Sequence, residues 1–310
     1  MAETQKIVIV GAGLVGTSLA YALITQCIGS EIILIDIDKR KAEGEALDLS
    51  HGAAFSPRTV IVKSGTYKDL EKAQIVVIAA GASQAENETR IDLLKKNKQV
   101  VKNIVKEIKK VDFKGIYLVA TNPVDLISKF VFEEAGVPAK RIIGSGTVLD
   151  TARLRHEIAK TANVHVSNVH ALILGEHGDT EFVCWSNATI SVKPIIDFPG
   201  ITAKDRKIIE NKVRNAAYEI IERKLATYYG IGMALAFIIN AILDDKRSIL
   251  SVSTLINSDY YGIHNLFIGL PVLVSKDGVQ GLIELKLNKE EKAMLKKSAD
   301  FLKDTLKNLK

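Results

Sequence analysis

The stretch Lys6-Ile7-Val8-Ile9-Val10-Gly11-Ala12-Gly13-Leu14-Val15-Gly16 decides the fold of this chain. A short run that is apolar on both faces reads as a strand covered by helices on either side, and the Gly-x-Gly-x-x-Gly that follows opens a helix predicted over Leu14 to Cys27. Glycines at this spacing permit a tight turn, close approach of backbone to a pyrophosphate and close packing of helix on strand, while the helix N-terminus favours negative charge. Alone, the motif would also suit an ordinary glycine turn. A second strand-like run, Glu31 to Ile35, ends at Asp36, about twenty residues further on, where a carboxylate accepts hydrogen bonds from a ribose 2'-hydroxyl and repels the extra phosphate of NADP. NAD is therefore the expected cofactor.

The same alternation continues through Thr59 to Val62, Gln74 to Ala79, Gly115 to Ala120 and Arg141 to Ile143, with helix-period stretches between them. Strands so linked make a doubly wound α/β (Rossmann) domain with a parallel six-stranded sheet, expected over residues 1–145. Past residue 162 the pattern changes. Ala171 to Leu174, Ser248 to Leu255 and Leu266 to Val274 read as antiparallel strands, with turn signals at Gly269-Leu270-Pro271 and Lys276-Asp277-Gly278. Helices are predicted over Thr202 to Leu225 and Lys289 to Leu309, so residues 146–310 are expected to form an α+β domain sharing a broad interface with the first.

At 310 residues, 25% charged and 47% hydrophobic, the composition is that of an ordered globular protein of two domains. The net charge of +6 and pI near 9.0 could serve an anionic partner, but the lysines alternate with acids along Lys95 to Lys114 and Lys289 to Lys310, as on solvated helix faces, so nucleic acid is not expected. Cys27 and Cys184 lack metal-ligand spacing and read as free thiols of a reducing compartment, with no metal site implied. No apolar stretch reaches the roughly 18 residues of a membrane span, and the short polar start leaves no room for an export signal, so a cytoplasmic location is expected.

Further motifs follow the carboxyl ends of the predicted strands, where such sheets bind ligands. Gly81 to Arg90 is a polar loop ending in a cation at a helix start, which the helix dipole disfavours unless something anionic faces it. Thr121-Asn122-Pro123 presents an amide beside a proline. Asp150 and Arg153 stand on one helix face, a spacing that also suits a plain intrahelical salt bridge. Gly175-Glu176-His177-Gly178-Asp179-Thr180-Glu181 presents a histidine after the apolar run Val169 to Leu174, either a proton-transferring group or a loop histidine bonding its own turn.

With Gly11 to Gly16, Asp36, Gln84 to Arg90, Thr121-Asn122-Pro123, Asp150 to Arg153 and Gly175 to Glu181 in order and spacing, the chain resembles the L-lactate and malate dehydrogenase family over essentially its whole length. The resemblance implies NADH-dependent reduction of a 2-oxo acid, with a catalytic set of His177, Asp150 and Arg90. His177 would give the carbonyl oxygen its proton, Asp150 would fix the imidazole tautomer, and Arg90 would polarise the carbonyl from a closing loop. Arg153 would grip the substrate carboxylate bidentately, with Asn122 and Thr227 also contacting substrate. The cofactor would touch Gly11, Gly13, Val15, Gly16, Asp36, Lys41, Tyr67, Gly81, Ala82, Ala120, Thr121, Asn122 and Ser145. A family member that had lost catalysis would be expected to lack one of Arg90, Asp150, Arg153 or His177, and all are present.

Gln84 stands where malate dehydrogenases of the family generally carry arginine, so a second substrate carboxylate would be left unpaired and pyruvate is preferred to oxaloacetate. Departures from the usual lactate dehydrogenase pattern are Ala85-Glu86-Asn87, Leu225 and Phe182-Val183-Cys184; the first two border the expected pocket and keep a bulkier acid such as 2-oxoisocaproate as an alternative. Arg155 and His170 match positions that bind fructose 1,6-bisphosphate between subunits in many bacterial members, the other reading being a solvent-facing arginine and a strand histidine. The family also implies a homotetramer.

Overall fold

The computed structural model describes residues 5–82 and 90–309. Its first half runs β1 (Lys6–Val10), α1 (Leu14–Thr25), β2 (Glu31–Ile35), α2 (Lys39–Ala53), β3 (Ile61–Ser64), β4 (Ile75–Ile78), α3 (Arg90–Ile108), β5 (Ile116–Val119), α4 (Val124–Ala135) and β6 (Ile142–Gly144). The strands pair in parallel in the order β3-β2-β1-β4-β5-β6. Strand β1 shows why its sequence is uniformly apolar. Ile7 and Ile9 point into one buried cluster with Leu19 and Leu23 of α1, whereas Val8 and Val10 point into another with Val101 and Val105 of α3, so neither face meets water. The order reverses between β1 and β4, which opens a crevice at their carboxyl ends.

The second half runs α5 (Val148–Ala162), β7 (Val169–His170), β8 (Ile173–Leu174), β9 (Phe182–Val183), β10 (Thr189–Ile190), β11 (Lys193–Pro194), α6 (Ala203–Lys224), α7 (Tyr229–Leu243), β12 (Ser248–Ile256), β13 (Leu266–Ser275), β14 (Gly278–Leu282) and α8 (Lys289–Lys307). The expected antiparallel strands are present, and β12, β13 and β14 continue the parallel sheet beyond β6. An otherwise open edge is thereby covered. Gly144 permits the join, because a Cβ there would lie 2.8 Å from Cβ of Ser253 in β12.

Capping sets the long helices. Thr202 and Asp205 form a capping box at the start of α6, and Asn288 and Glu291 form one at the start of α8. Leu225 closes α6 at φ +69°, a left-handed position that favours glycine.

One expectation is overturned. Gly269-Leu270-Pro271 is no turn but the middle of β13, opposite Ser251 to Ser253. Pro271 is tolerated because its carbonyl accepts from the N–H of Ile283 at 2.8 Å just past the end of β14, where its own missing N–H falls beyond the ladder. Gly269 serves close approach: it exchanges two 2.9 Å backbone hydrogen bonds with Gly175, and a Cβ on it would lie 2.8 Å from the Gly175 oxygen. The other signal, Lys276-Asp277-Gly278, does turn the chain from β13 into β14. Among the described residues, no helix is long and apolar enough to cross a membrane.

Candidate active site

The crevice begins with backbone. Gly11 turns at φ +111°, and a Cβ there would lie 2.6 Å from the Ala80 nitrogen at the end of β4. At Gly16 a Cβ would lie 1.9 Å from the Gly11 oxygen, whereas at Gly13 it would meet nothing within 4 Å. The first and third glycines thus close the turn, and the second faces open space. No side chain caps α1, so its first N–H groups remain available to an anion. Asp36 steadies this loop: Oδ2 accepts from the Ala12 N–H at 2.7 Å and Oδ1 from the Asp38 N–H at 3.0 Å. A half-exposed carboxylate beside a glycine cradle and an uncapped helix fits the ribose and pyrophosphate of NAD.

The other sequence-predicted cofactor positions fall along the same edge. Val15 lies in the first turn of α1. Gly81 and Ala82 follow β4, Ala120 to Asn122 follow β5, and Ser145 follows β6. Thr121 ties two of these segments, its hydroxyl donating to the Ala80 oxygen at 2.7 Å. Tyr67 stands near Asp36, its hydroxyl pushed up to about 12 by burial and by the negative charges of Glu107 and Asp36. Lys41 is exposed in the first turn of α2.

The reacting end is made of side chains. Strand β8 delivers the chain to Gly175, whose φ of +104° and pairing with Gly269 aim the next residues at α5. His177 Nδ1 lies 2.7 Å from Asp150 Oδ2, and the Arg153 guanidinium donates to Asp150 Oδ1 at 2.8 Å. The salt bridge suggested by helical spacing is therefore made, and the same carboxylate also holds the imidazole. Burial opposes protonation of His177, but the charge and hydrogen bond of Asp150 outweigh it, and with Glu181 and Asp125 they push the imidazole up to about 9. Burial works against ionisation of Asp150, yet His177 and Arg153 together hold it below the usual carboxylate range.

Two acids near His177 were not singled out from sequence. Asp125, buried on α4, accepts from the His177 N–H at 2.8 Å and the Ser253 hydroxyl at 2.5 Å; burial raises it to about 6. Glu181 places Oε2 4.0 Å from His177 Nδ1, and burial and the Asp150 charge push it up. An acid two residues past Pro123, in the first turn of α4, is the sole local signal for Asp125, and Glu181 lies inside the quoted motif. Asp150, His177 and Glu181 bring one donor atom each within 4.8 Å of one another, a grouping a metal could use, but Arg153 on the same carboxylate opposes a cation there.

Thr227 is half-buried between α6 and α7; three residues on, a Cβ on Gly230 would lie 3.0 Å from Leu149, the neighbour of Asp150. Arg155 and His170 lie elsewhere: the Arg155 Nε donates to the Ala171 oxygen at 3.0 Å, next to exposed His170 on β7. Burial lowers the Arg155 guanidinium. Gln84, Ala85-Glu86-Asn87 and the Arg90 side chain lie outside the described residues, although α3 does begin at Arg90.

Residues 5–144 match the family model for the lactate/malate dehydrogenase NAD binding domain, and residues 147–310 match that for the lactate/malate dehydrogenase alpha/beta C-terminal domain. The chain is 45% identical to L-lactate dehydrogenase 2 of Enterococcus faecalis, covering 98% of this chain and 97% of that protein. Its structure is similar to a lactate dehydrogenase from a Medee basin deep-sea metagenome library, with TM-score 0.96 and 51% identity over 99% of both chains. It is also similar to the ligand-bound minor L-lactate dehydrogenase of Enterococcus mundtii, with TM-score 0.97 and 44% identity over 99% of both chains.

Proposed function

The chain belongs to the lactate/malate dehydrogenase family and is an NAD-dependent oxidoreductase, and on that premise we propose that it reduces pyruvate reversibly to L-lactate. The observation that carries this reading is the continuous chain from His177 through Asp150 to Arg153, at 2.7 and 2.8 Å. Bound NADH supplies the hydride. Asp150 accepts a hydrogen bond from the Nδ1–H of the imidazole, which leaves Nε2 to give the carbonyl oxygen its proton. With His177 raised to about 9, the imidazolium form predominates at neutral pH, so the proton is in place for reduction. Arg153 holds the substrate carboxylate, the Asn122 amide donates toward the reacting oxygen, and Thr227 lines the substrate side.

Arg90 would stabilise charge developing on that oxygen, and Gln84 would leave a second carboxylate unpaired, which favours pyruvate over oxaloacetate. Asp36 supports NAD over NADP. The same reading divides the chain into a cofactor domain over 1–145 and a substrate domain over 146–310. Arg155, bonded to the Ala171 carbonyl, and the exposed His170 beside that residue in the chain suit an anionic effector such as fructose 1,6-bisphosphate between subunits of a homotetramer in the cytoplasm.

The test is NADH-linked kcat/KM for pyruvate, 2-oxoisocaproate and oxaloacetate, each with and without fructose 1,6-bisphosphate. Pyruvate is expected to rank first, with its KM lowered by the bisphosphate unless both Arg155 and His170 are replaced. For His177→Gln, loss of general acid catalysis is expected to cost about 10² to 10⁴ in kcat; undiminished turnover would overturn the mechanism.

A further inference from the structure

One buried side chain is used neither by the glycine cradle nor by the cluster around His177. Asn97, on α3, is 2% exposed and interrupts the stripe of Leu94, Val101, Ile104 and Ile108 that packs this helix on the sheet. An amide in an apolar stripe is costly unless both its ends are bonded. Here they are. Oδ1 accepts from the Ala82 N–H at 2.8 Å, and Nδ2 donates to the Asn122 carbonyl at 2.9 Å.

These partners belong to different segments of the crevice edge: Ala82 follows β4, and Asn122 follows the neighbouring strand β5. We propose that Asn97 is a positioning residue whose single buried amide holds the segment after β4, the backbone of Asn122 and helix α3 in one register. Packing around it is close: a Cβ on Gly81 would lie 3.3 Å from Asn97 Oδ1 and 2.9 Å from Thr121 Cγ2. The geometry demands a side chain that accepts at one end and donates at the other, which leucine, alanine and ionised aspartate cannot do.

The inference rests on the reading that Asn122 serves the substrate, but the tie itself can be tested without turnover. Hydrogen exchange of the Ala82 amide in the full enzyme without substrate is expected to quicken about tenfold or more in Asn97→Ala. Unchanged protection would overturn the proposal whatever the reaction. With pyruvate and NADH, Asn97→Ala is expected to lose about tenfold or more in kcat through misplacement of the reacting groups. Its Kd for NADH, followed by cofactor fluorescence, should rise by less than about threefold. A lowered Tm with kcat intact would overturn positioning in favour of plain stability. Asn97→Asp, ionised, keeps an acceptor for the Ala82 N–H but turns an oxygen toward the Asn122 carbonyl, so Ala82 protection should be retained while kcat falls about tenfold. Asn97→Asp with kcat intact would count against the tie to Asn122. Quickened Ala82 exchange in an enzyme that turns over no pyruvate would reject the proposed reaction and leave the tie standing.

Discussion

At the carboxyl ends of β1 and β2 the protein presents mainly backbone: a glycine turn, an uncapped helix start and one carboxylate that steadies them. Around His177 it presents side chains carried in from α4, α5 and the loop after β9's partner strand, packed until three acids act on one imidazole and an arginine shares one of them. The difference lies in how each fails. A backbone site is lost when an atom is added, because its function is close approach. A side-chain site is lost when an atom is exchanged, because its function is a proton held at a stated place.

Three measurements bear on that contrast. Asp150→Asn keeps the shape of the cluster but removes the charge that raises His177, and kcat for pyruvate reduction is expected to fall by about 10³ to 10⁴ with NADH affinity preserved. If NADH affinity fell in step, the two ends would not be separable. Gly16→Ala should do the reverse. Its Cβ would lie 1.9 Å from the Gly11 oxygen, and overpacking of about 1–3 kcal/mol would weaken NADH binding by roughly ten- to a hundredfold, with kcat at saturating cofactor little altered. The smallest effect is on pH dependence. Because reduction needs protonated His177, kcat/KM for pyruvate should stay level through neutral pH and then fall about tenfold per unit above the titration of the imidazole, which the cluster sets at about 9. Lactate oxidation, which needs the neutral ring, should gain over the same range. A fall centred near the ordinary histidine value would mean that the acids around the ring do not act on it.

The two ends also differ in how openly the sequence displays them. The cofactor edge is local: strand, glycine turn, helix and Asp36 follow one another within the first 36 residues, and the observed β1 and β2 coincide with the runs read from sequence. The remaining parallel strands agree within two residues. Gly269 and Pro271 misled because a glycine and a proline mark turns in most contexts, and what excuses them here is a neighbour far along the chain: the backbone of Gly175 for one, the end of β14 for the other. Asp125 and Asn97 offered a weaker signal still. Each is one polar residue on a buried helix face, and its partners, backbone groups at His177, Ala82 and Asn122 and the Ser253 hydroxyl, are ones that no spacing reveals.

Hydrophobic period, glycine spacing and the order of the polar motifs were enough to specify a doubly wound sheet, a dinucleotide cradle and the residue types of a 2-oxo acid reductase, because each of those depends on neighbours a few residues apart. The merging of the antiparallel strands into the same sheet, the shift of His177 and the double tie of Asn97 came from folding. They depend on distances of 2.7 to 4.0 Å between groups separated by many residues of chain, and on the exclusion of water from between them. Burial decides those terms, and burial is a property of the packed molecule.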